Sequence, residues 1–599
     1  MRNILKTFST AKQMFLMVWK FRFGKKYVFY KSIISLISSI SPFLYTILPG
    51  LIINELMSSN ITQKLILYVA VLVLSPLFFT LLNSVIGRMS FRCTQQLHLR
   101  LLYDFEYHLV HMDYEVLENP DIQDLKNRAE DVIDSLTVIV EQLYSFIQSI
   151  IILIGIISII TSLNPFIIIV SILIVLFNSA IAKRREKKDY EITKEIQSKI
   201  RKQYGISDNL HSLEYAKDIR IFNAGTYLIE KVFAFKVDIN NDALKRNRDG
   251  QKVNIIQSVT NVINELVLYV YAIIQVIHGS LSIGNMTIFL GAARQFSSTL
   301  SSITQAYINL SSNTYKYDEY KKFISIPLHQ YETEGKKPFI DDNSIIEFKD
   351  VWFKYPGTDR YILKNFNIKI YLNQKLCIVG ANGVGKTTFI KLLTRLYTPN
   401  KGEILLNGIN ISKYNYDEYL SLFTAAFQDS KDFKLSIAEN IALSADYSTD
   451  RLNRVCESID LLPLISKLPK GYNTQVGKWI DADGIDFSGG ELQKMTIARA
   501  EYHDSYVYLL DEPTAALDPL AEYEIYSQFN NMITDKCAIL VSHRLSAVQL
   551  ADKVAVFDNG SVAEYGTHQE LYSKGGIYTE MFDKQAQFYR DEVNTDVWS

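Results

Sequence analysis

An all-helical membrane domain followed by an α/β domain is the fold class this sequence predicts. Three observations predict it: six apolar stretches fall before residue 311, a strand–helix alternation begins at residue 345, and the glycine-rich run GANGVGKT sits between a strand and a helix. At 599 residues the chain is too long for one compact core, so several domains are expected. Hydrophobic residues make up 48% of it and crowd into the first half, so the mean hydropathy of +0.03 describes neither half. Lys plus Arg (63) nearly cancel Asp plus Glu (64), and no global basic field points to nucleic acid. Cys93, Cys377, Cys456 and Cys537 lack the paired spacing of a disulfide framework or a zinc site.

The first apolar stretch, 27–56, follows a basic cluster of Lys20, Arg22, Lys25 and Lys26. It is too long for a signal peptide, whose apolar region covers about 7 to 15 residues, and reads as a membrane span with its amino end in the cytoplasm. Further stretches lie at 65–87, 138–161, 166–181, 255–278 and 283–310. Spans of about 20 residues, at roughly 1.5 Å each, match a hydrocarbon layer of about 30 Å. The connections MSSNIT, TSLNP and HGSLS carry no Lys or Arg, whereas 88–134 and 183–252 are long and rich in both signs. Lys and Arg concentrate on the cytoplasmic side, so the short loops face outward and both termini lie inside. The long inner segments keep a helical rhythm with few breakers, which predicts membrane helices that continue well into the cytoplasm.

The stretch 325–344, SIPLHQYETEGKKPFIDDNS, is polar and carries Pro and Gly, and reads as a linker. The domain boundaries expected are therefore 1–324 for the membrane domain, 325–344 for the linker and 345–599 for the α/β domain. In the last, IIEFKDVWFKY, KLCIVG, SLFTAAF, YVYLLD and CAILVS read as strands, and helical patterns cover 387–396, 436–442, 489–501 and 519–532. Buried strands joined by helices predict a parallel sheet.

Gly380, Ala381, Asn382, Gly383, Val384, Gly385, Lys386 and Thr387, with Thr388 next, have the spacing of a phosphate-binding loop. Glycines let backbone N–H groups point at phosphate oxygens, and the helix N-terminus behind them adds a positive dipole end. Lys386 would reach the β- and γ-phosphates and Thr387 would offer its hydroxyl to Mg²⁺. Asp511 and Glu512 end the strand YVYLL, where one carboxylate can hold Mg²⁺ and the next can polarise the attacking water.

FSGGE at 487–491, Gln428 in AAFQDS, AALD ending at Asp518 and His543 in VSHRLS follow in the order of ABC transporters, and residues 345–599 resemble an ABC nucleotide-binding domain throughout. The resemblance implies two such domains sandwiching two ATP molecules, each held by the phosphate loop of one subunit and the signature loop of the other. Tyr355 would then stack on adenine, and Gln428 would sense the metal and contact the membrane domain. Phe487, Ser488, Gly489, Gly490 and Glu491 would form the signature, with Ser488 and Gly489 on the γ-phosphate in trans, and His543 would close on it. Phe487 stands where Leu is usual, Glu491 where Gln is usual and Ala515 where Ser is usual, and TQVGK at 474–478 differs from the TEVGE-like loop common in exporters.

Six spans ahead of one such domain resemble the half-transporter exporters of this superfamily. The resemblance implies an ATPase that needs ATP and Mg²⁺, works by alternating access in the bacterial plasma membrane, and pairs with a second copy of itself, a heterodimer being the alternative. It also implies short coupling helices near ENPDIQDLKNR and SLEYAKDIRIF. The run VGKWIDADGIDFSGGELQKMTIARA resembles bacterial exporters for lantibiotics and other modified peptides, which implies a peptide substrate; a lipid or drug exporter is the alternative. About 26 residues precede the first span, so no leader-peptidase domain is expected there. A soluble ATPase of this superfamily would lack the spans; the spans by themselves leave a nucleotide-gated channel open, and Glu512 argues for turnover instead. Glu141 and Glu265 fall at or within predicted spans, where a charged group facing lipid costs roughly 2.5 to 3.5 kcal/mol, so they are candidates for a substrate cavity unless a neighbour such as Arg294 pairs with them.

Overall fold

In the computed structural model the described residues are 2–58, 63–161, 166–328, 335–341, 343–427, 431–511, 527, 529–530, 533, 536–542 and 545–584. They fall into two units, Met1–Tyr107 with Asp124–Ser325, and His108–Gln123 with Ile326–Ser599.

The first unit is helical: α1 (Arg2–Lys20), α2 (Arg22–Met57), α3 (Gln63–Val110), α5 (Pro120–Thr161), α6 (Phe166–His211), α7 (Ala216–Ile221), α8 (Gly225–Ile277) and α9 (Ile283–Ile324). The four-residue α4 (Tyr114–Leu117) lies in the segment that packs with the second unit. All six predicted stretches fall in long helices. Helices α3, α5, α6, α8 and α9 run for 48, 42, 46, 53 and 42 residues, well beyond the roughly 20 that cross a bilayer. Among the described residues, α2, α3, 138–160 of α5 and α8 are long and apolar enough to cross a membrane. The predicted fourth stretch opens α6 next to residues outside the described set, and α9 is diluted by Gly, Ser, Thr, Asn and Gln, so neither meets that measure.

Small residues let α2 and α9 approach closely. A Cβ on Gly50 would lie 2.3 Å from Ile288 Cγ1 and 2.4 Å from the Gly284 carbonyl, and one on Gly284 would lie 2.3 Å from both the Gly50 carbonyl and Asn54 Oδ1. Where lipid removes the hydrophobic drive between helices, such backbone contact is what holds them. Pro42 in α2 leaves the Ser38 carbonyl without its helical N–H, and Ser41 Oγ donates to it at 3.4 Å. Beyond the apolar stretches, ion pairs take over between α6 and α8: Lys188–Asp249 at 2.5 Å, Lys199–Asp242 at 2.7 Å and Lys199–Asp238 at 3.0 Å.

Among the described residues the second unit forms two sheets. One is a four-stranded antiparallel sheet in the order β2–β1–β4–β5, built from β1 (Ile345–Phe353), β2 (Leu363–Tyr371), β4 (Lys401–Leu406) and β5 (Ile409–Asn410). The other has the order β10–β9–β3–β8–β7–β6, from β3 (Lys375–Val379), β6 (Phe423–Ala426), β7 (Val507–Asp511), β8 (Cys537–Val541), β9 (Lys553–Asp558) and β10 (Ser561–Gly566). It is parallel except for the β9–β10 hairpin. Every residue of β7 and β8 is buried, as expected of central parallel strands covered on both faces. In β2 exposed positions interleave with buried ones, as expected of a sheet with one wet face. Predicted helix 519–532 lies largely outside the described residues.

The four cysteines are free and buried, in line with the absence of paired spacing. Burial pushes the thiols of Cys377 and Cys537 up to about 12, which keeps them neutral and unreactive.

Replacing Gly284 by Val should destabilise the helical unit by about 1–3 kcal/mol or more through overpacking. Gly87→Ala in α3, where a Cβ meets nothing within 4 Å, is the control. Thermal unfolding of the purified chain in detergent should show a lower midpoint for the first and none for the second; equal midpoints would mean that the helices do not meet at Gly50 and Gly284.

Candidate nucleotide site

Parallel strands gather their carboxyl ends along one edge of a sheet, where ligands bind. Here β3 lies beside β8 and β8 beside β7, so the loop after β3, the end of β7 and the residue after β8 become neighbours. The loop runs from Gly380 to Gly385 into the helix Lys386–Leu393. Gly380, Gly383 and Gly385 have φ of 154°, 81° and 107°, conformations that L side chains rarely adopt. A Cβ on Gly380 would also lie 2.5 Å from the Phe557 carbonyl, and one on Gly385 2.7 Å from Leu363 Cδ2. The helix is anchored behind the loop by Phe389, fully buried against Phe348, Phe366 and Phe557 with ring centroids 4.8, 5.9 and 5.7 Å away.

Lys386 is buried and donates to the Gly380 carbonyl at 2.7 Å and the Ala381 carbonyl at 3.3 Å, so its ammonium lies over the loop. Thr387 Oγ1 donates to Asp511 Oδ2 at 3.4 Å across the strand ends. A hydroxyl and a carboxylate facing each other this way are hard oxygen donors that fit Mg²⁺, which takes one or two protein ligands and completes its shell with phosphate and water. Among the described residues no cluster of three or more acidic, His or Cys side chains competes as a metal site. The half-buried Tyr355 shares a hydrogen bond with Thr388 Oγ1 at 2.9 Å, one residue beyond Thr387. Gln428, Glu512, Asp518 and His543 lie outside the described residues; Asp511 and Ser542, which precede two of them, are both buried.

Ser488 is the N-cap of the helix Gly489–His503. Its backbone N–H and hydroxyl both donate to Glu491 Oε2 at 2.8 Å, and the Glu491 N–H returns to Ser488 Oγ at 3.4 Å. The departure at Glu491 thus completes a capping box, and its charge suits a helix N-terminus. Phe487 packs against the core beneath. The TQVGK loop is tied in by backbone bonds from Val476 to the Leu435 carbonyl (2.9 Å) and from Gly477 to the Ile485 carbonyl (2.8 Å). It leaves Trp479 74% exposed.

A second feature adjoins the site. Within the second unit, the segment around α4 packs on the phosphate-loop helix and the turn after it. Tyr114 meets Tyr397 edge-on at 5.7 Å, Thr398 donates to Glu115 at 3.1 Å, and the Tyr397 hydroxyl donates to Glu118. Arg395, buried with φ 55°, donates to the Tyr414 carbonyl at 3.0 Å and lies over the rings of Tyr416 and Tyr419. Burial lowers its pKa, opposed by Tyr419, Tyr416 and Asp113 of this segment. The sequence pointed to ENPDIQDLKNR for a short helix here. The structure forms it one turn earlier, while Pro120, suited to a first helical position, opens α5, with Asn119 Oδ1 accepting from the Asp121 N–H at 2.9 Å. The other short helix, α7, falls within SLEYAKDIRIF.

Glu141 and Glu265 belong to the first unit. Each is paired with a cation on another helix, Glu141 with Lys31 at 2.6 Å and Glu265 with Arg294 at 3.2 Å, and Arg294 also donates to the Tyr269 hydroxyl at 2.8 Å. Sequence reasoning anticipated Arg294 and missed Lys31, which sits in the first predicted span more than a hundred positions away. Tyr397, Lys391 and Glu118 were missed too; the one available signal was that Lys391 lies one helical turn beyond Thr387.

The pattern of the family described as ABC transporter transmembrane region matches residues 28–300, and that of ABC transporter matches 363–515. The chain is 29% identical over 562 residues to the subtilin transport ATP-binding protein SpaT of Bacillus subtilis, covering 92% of this chain and 90% of that one. It is 28% identical over 589 residues to the nisin transport ATP-binding protein NisT of Lactococcus lactis subsp. lactis, covering 96% of each. Over 339 residues it is 30% identical to the ATP-dependent lipid A-core flippase of Haemophilus ducreyi, covering 56% of this chain and 57% of that one. A solved structure of a bacterial Atm1-family ABC exporter with ATP bound shares its fold, with a TM-score of 0.79 over 92% of this chain and 98% of that one at 21% identity. A helical membrane region, the phosphate loop after β3 and the carboxylate at the end of β7 therefore converge on one conclusion: the chain belongs to the ABC transporter family, as an ATPase of exporter fold with a transmembrane region and an ATP-binding domain.

Proposed function

We propose that this chain exports a modified, lantibiotic-like peptide from the cytoplasm as a homodimer in the bacterial plasma membrane. The observation that carries the reading is its similarity to SpaT and NisT along nearly the whole of each chain, membrane region included, whereas the flippase covers little more than half. In this reading residues 1–324 form a six-span membrane domain with α4 and α7 as its coupling helices, 325–344 link it to the nucleotide-binding domain, and 345–599 bind ATP and Mg²⁺. The loop Gly380–Thr388 cradles the phosphates, with Lys386 swinging from the loop carbonyls to the β- and γ-phosphates. Thr387, Asp511 and Gln428 hold the metal, Tyr355 stacks on adenine, Glu512 polarises water and His543 contacts the γ-phosphate. Ser488 and Gly489 complete the site of the other subunit, with Asp518 near the junction. Because Glu141 and Glu265 are paired, their cavity offers ion pairs that a cationic peptide can exchange into, rather than bare charge. A lipid or drug passenger, and a heterodimer, are the alternatives.

Lys386→Ala should weaken nucleotide binding at least tenfold with little change in thermal midpoint, because the loop loses its ammonium while Phe389 keeps the helix in place; fluorescent ATP-analogue titration measures it. Cysteines introduced by Ser488→Cys and Ala381→Cys, in a chain relieved of its four native cysteines, should cross-link between two chains only when ATP is trapped. Cross-links indifferent to nucleotide would contradict a sandwiched site. Purified alone in lipid nanodiscs, the chain should hydrolyse ATP, and a cationic lantibiotic precursor should stimulate it; Glu512→Gln should lower turnover about 10²-fold or more. Stimulation by lipids or small drugs but by no peptide would overturn the substrate class, and no hydrolysis without a second chain would overturn the homodimer.

A further inference from the structure

Lys391 stands at the centre of a cluster that neither phosphate binding nor membrane spanning requires. It lies on the phosphate-loop helix, and its ammonium is 5.6 Å from the ring centre of Tyr114, 5.5 Å from that of Tyr355 and 5.4 Å from that of Tyr397. Glu118 Oε1 is 3.8 Å from the same nitrogen. The Tyr397 hydroxyl closes the ring of contacts on the other oxygen of Glu118. Two of these groups, Tyr114 and Glu118, come from α4 and its C-cap; Tyr355 comes from the turn after β1, and Tyr397 from the turn after the phosphate-loop helix.

A cation inside several aromatic rings is held by their negative faces, and the hold strengthens where water is excluded. The Lys391 side chain is only a quarter exposed, so its position is set by those rings and by Glu118. Tyr355 in turn is held by four neighbours. Its hydroxyl is bonded to Thr388, and its ring stands nearly perpendicular to those of Phe353 and Tyr397, with centroids 5.1 and 5.3 Å away. The fourth is the ammonium.

We propose that Lys391 is a positioning residue that makes the orientation of Tyr355 depend on the seating of α4. With α4 seated, Glu118 and Tyr114 hold the ammonium against Tyr355, and the ring is set to receive a flat, electron-poor base. When α4 moves with the helices on either side of it, the ammonium loses two of its four partners and Tyr355 loses its fourth support. Membrane-domain conformation thereby reaches base affinity through one side chain. The proposal rests on the reading of Tyr355 as the base-stacking residue.

The experiment uses the full-length chain in lipid nanodiscs and measures ATP-dependent turnover together with competition by inorganic tripolyphosphate, which fills the phosphate cradle without a base. Lys391→Met should raise KM for ATP about three- to tenfold, the range expected for a lost cation–aromatic contact, while kcat stays within about twofold. Lys391→Arg, which retains the charge over the rings, should restore KM to within about twofold. Glu118→Gln, on the α4 side and away from the phosphate loop, should raise KM less than Lys391→Met, and the double variant should be no worse than Lys391→Met alone, since coupled neighbours are not additive. Tripolyphosphate should compete equally in all of them. Weakened tripolyphosphate competition in step with KM would mean damage to the phosphate loop and would overturn the proposal. An unchanged KM in Glu118→Gln and Lys391→Met, with a raised KM in Tyr355→Ala, would overturn this link alone. An unchanged KM in Tyr355→Ala would overturn the base-stacking reading and the link with it. Should Lys391→Met fail to fold, Glu118→Gln with tripolyphosphate decides the matter by the same criteria.

Discussion

One eight-residue helix, Lys386–Leu393, carries the constraint on which the second unit depends. In the proposed function its amino end presents backbone N–H groups and Lys386 to phosphate, and that end tolerates no side chain at Gly380 or Gly385. An end so committed cannot anchor itself, so the anchoring falls to its buried face, where Phe389 locks into an aromatic core shared by both sheets. Its remaining face carries Lys391, and the turn after it carries Arg395 and Tyr397, the groups on which the α4 segment rests. The same few residues thus serve binding, stability and contact with the segment between α3 and α5.

The membrane half obeys a different rule. Lipid offers no hydrophobic reward for bringing helices together, so α2 and α9 meet through Gly50 and Gly284, where backbone can touch backbone. Outside the apolar stretches α6 and α8 exchange that contact for ion pairs in which each Lys finds an Asp on the neighbouring helix. Such pairs are individually modest in water, but several in register oppose sliding of one helix past the other. The carboxylates in the apolar region, Glu141 and Glu265, follow the cost argument to its end: each has found a cation.

The departures in the signature also have a local cause. Glu491 and Ser488 satisfy one another at the start of the helix that would face a phosphate, so the loop is ordered by its own side chains. A Gln at that position would keep the geometry and lose the charge. Phe487 fills apolar space under the loop, which Leu would also do.

What the sequence determined by itself was whatever rests on local pattern. The apolar lengths located the long helices, the spacing of Gly380, Gly383, Gly385 and Lys386 located the glycine-rich turn between β3 and the helix Lys386–Leu393, and the buried runs VYLL and CAILV marked parallel strands. The antiparallel sheet was legible only in β1, because β2 carries Lys364, Asn365, Asn367 and Lys369 at exposed positions and β4 and β5 run for only 6 and 2 residues. The hairpin β9–β10 was missed as well, its outer strand SVAEYG being an edge strand with one buried residue. Tertiary structure alone decided that Lys31 neutralises Glu141 and that Tyr114 and Glu118 close around Lys391, and it brought together Thr387 and Asp511, 124 positions apart, which the two motifs had only implied. Each of these contacts joins residues from separate elements, and only the order of strands and the packing of helices brings such residues within reach of charge, ring or hydrogen bond.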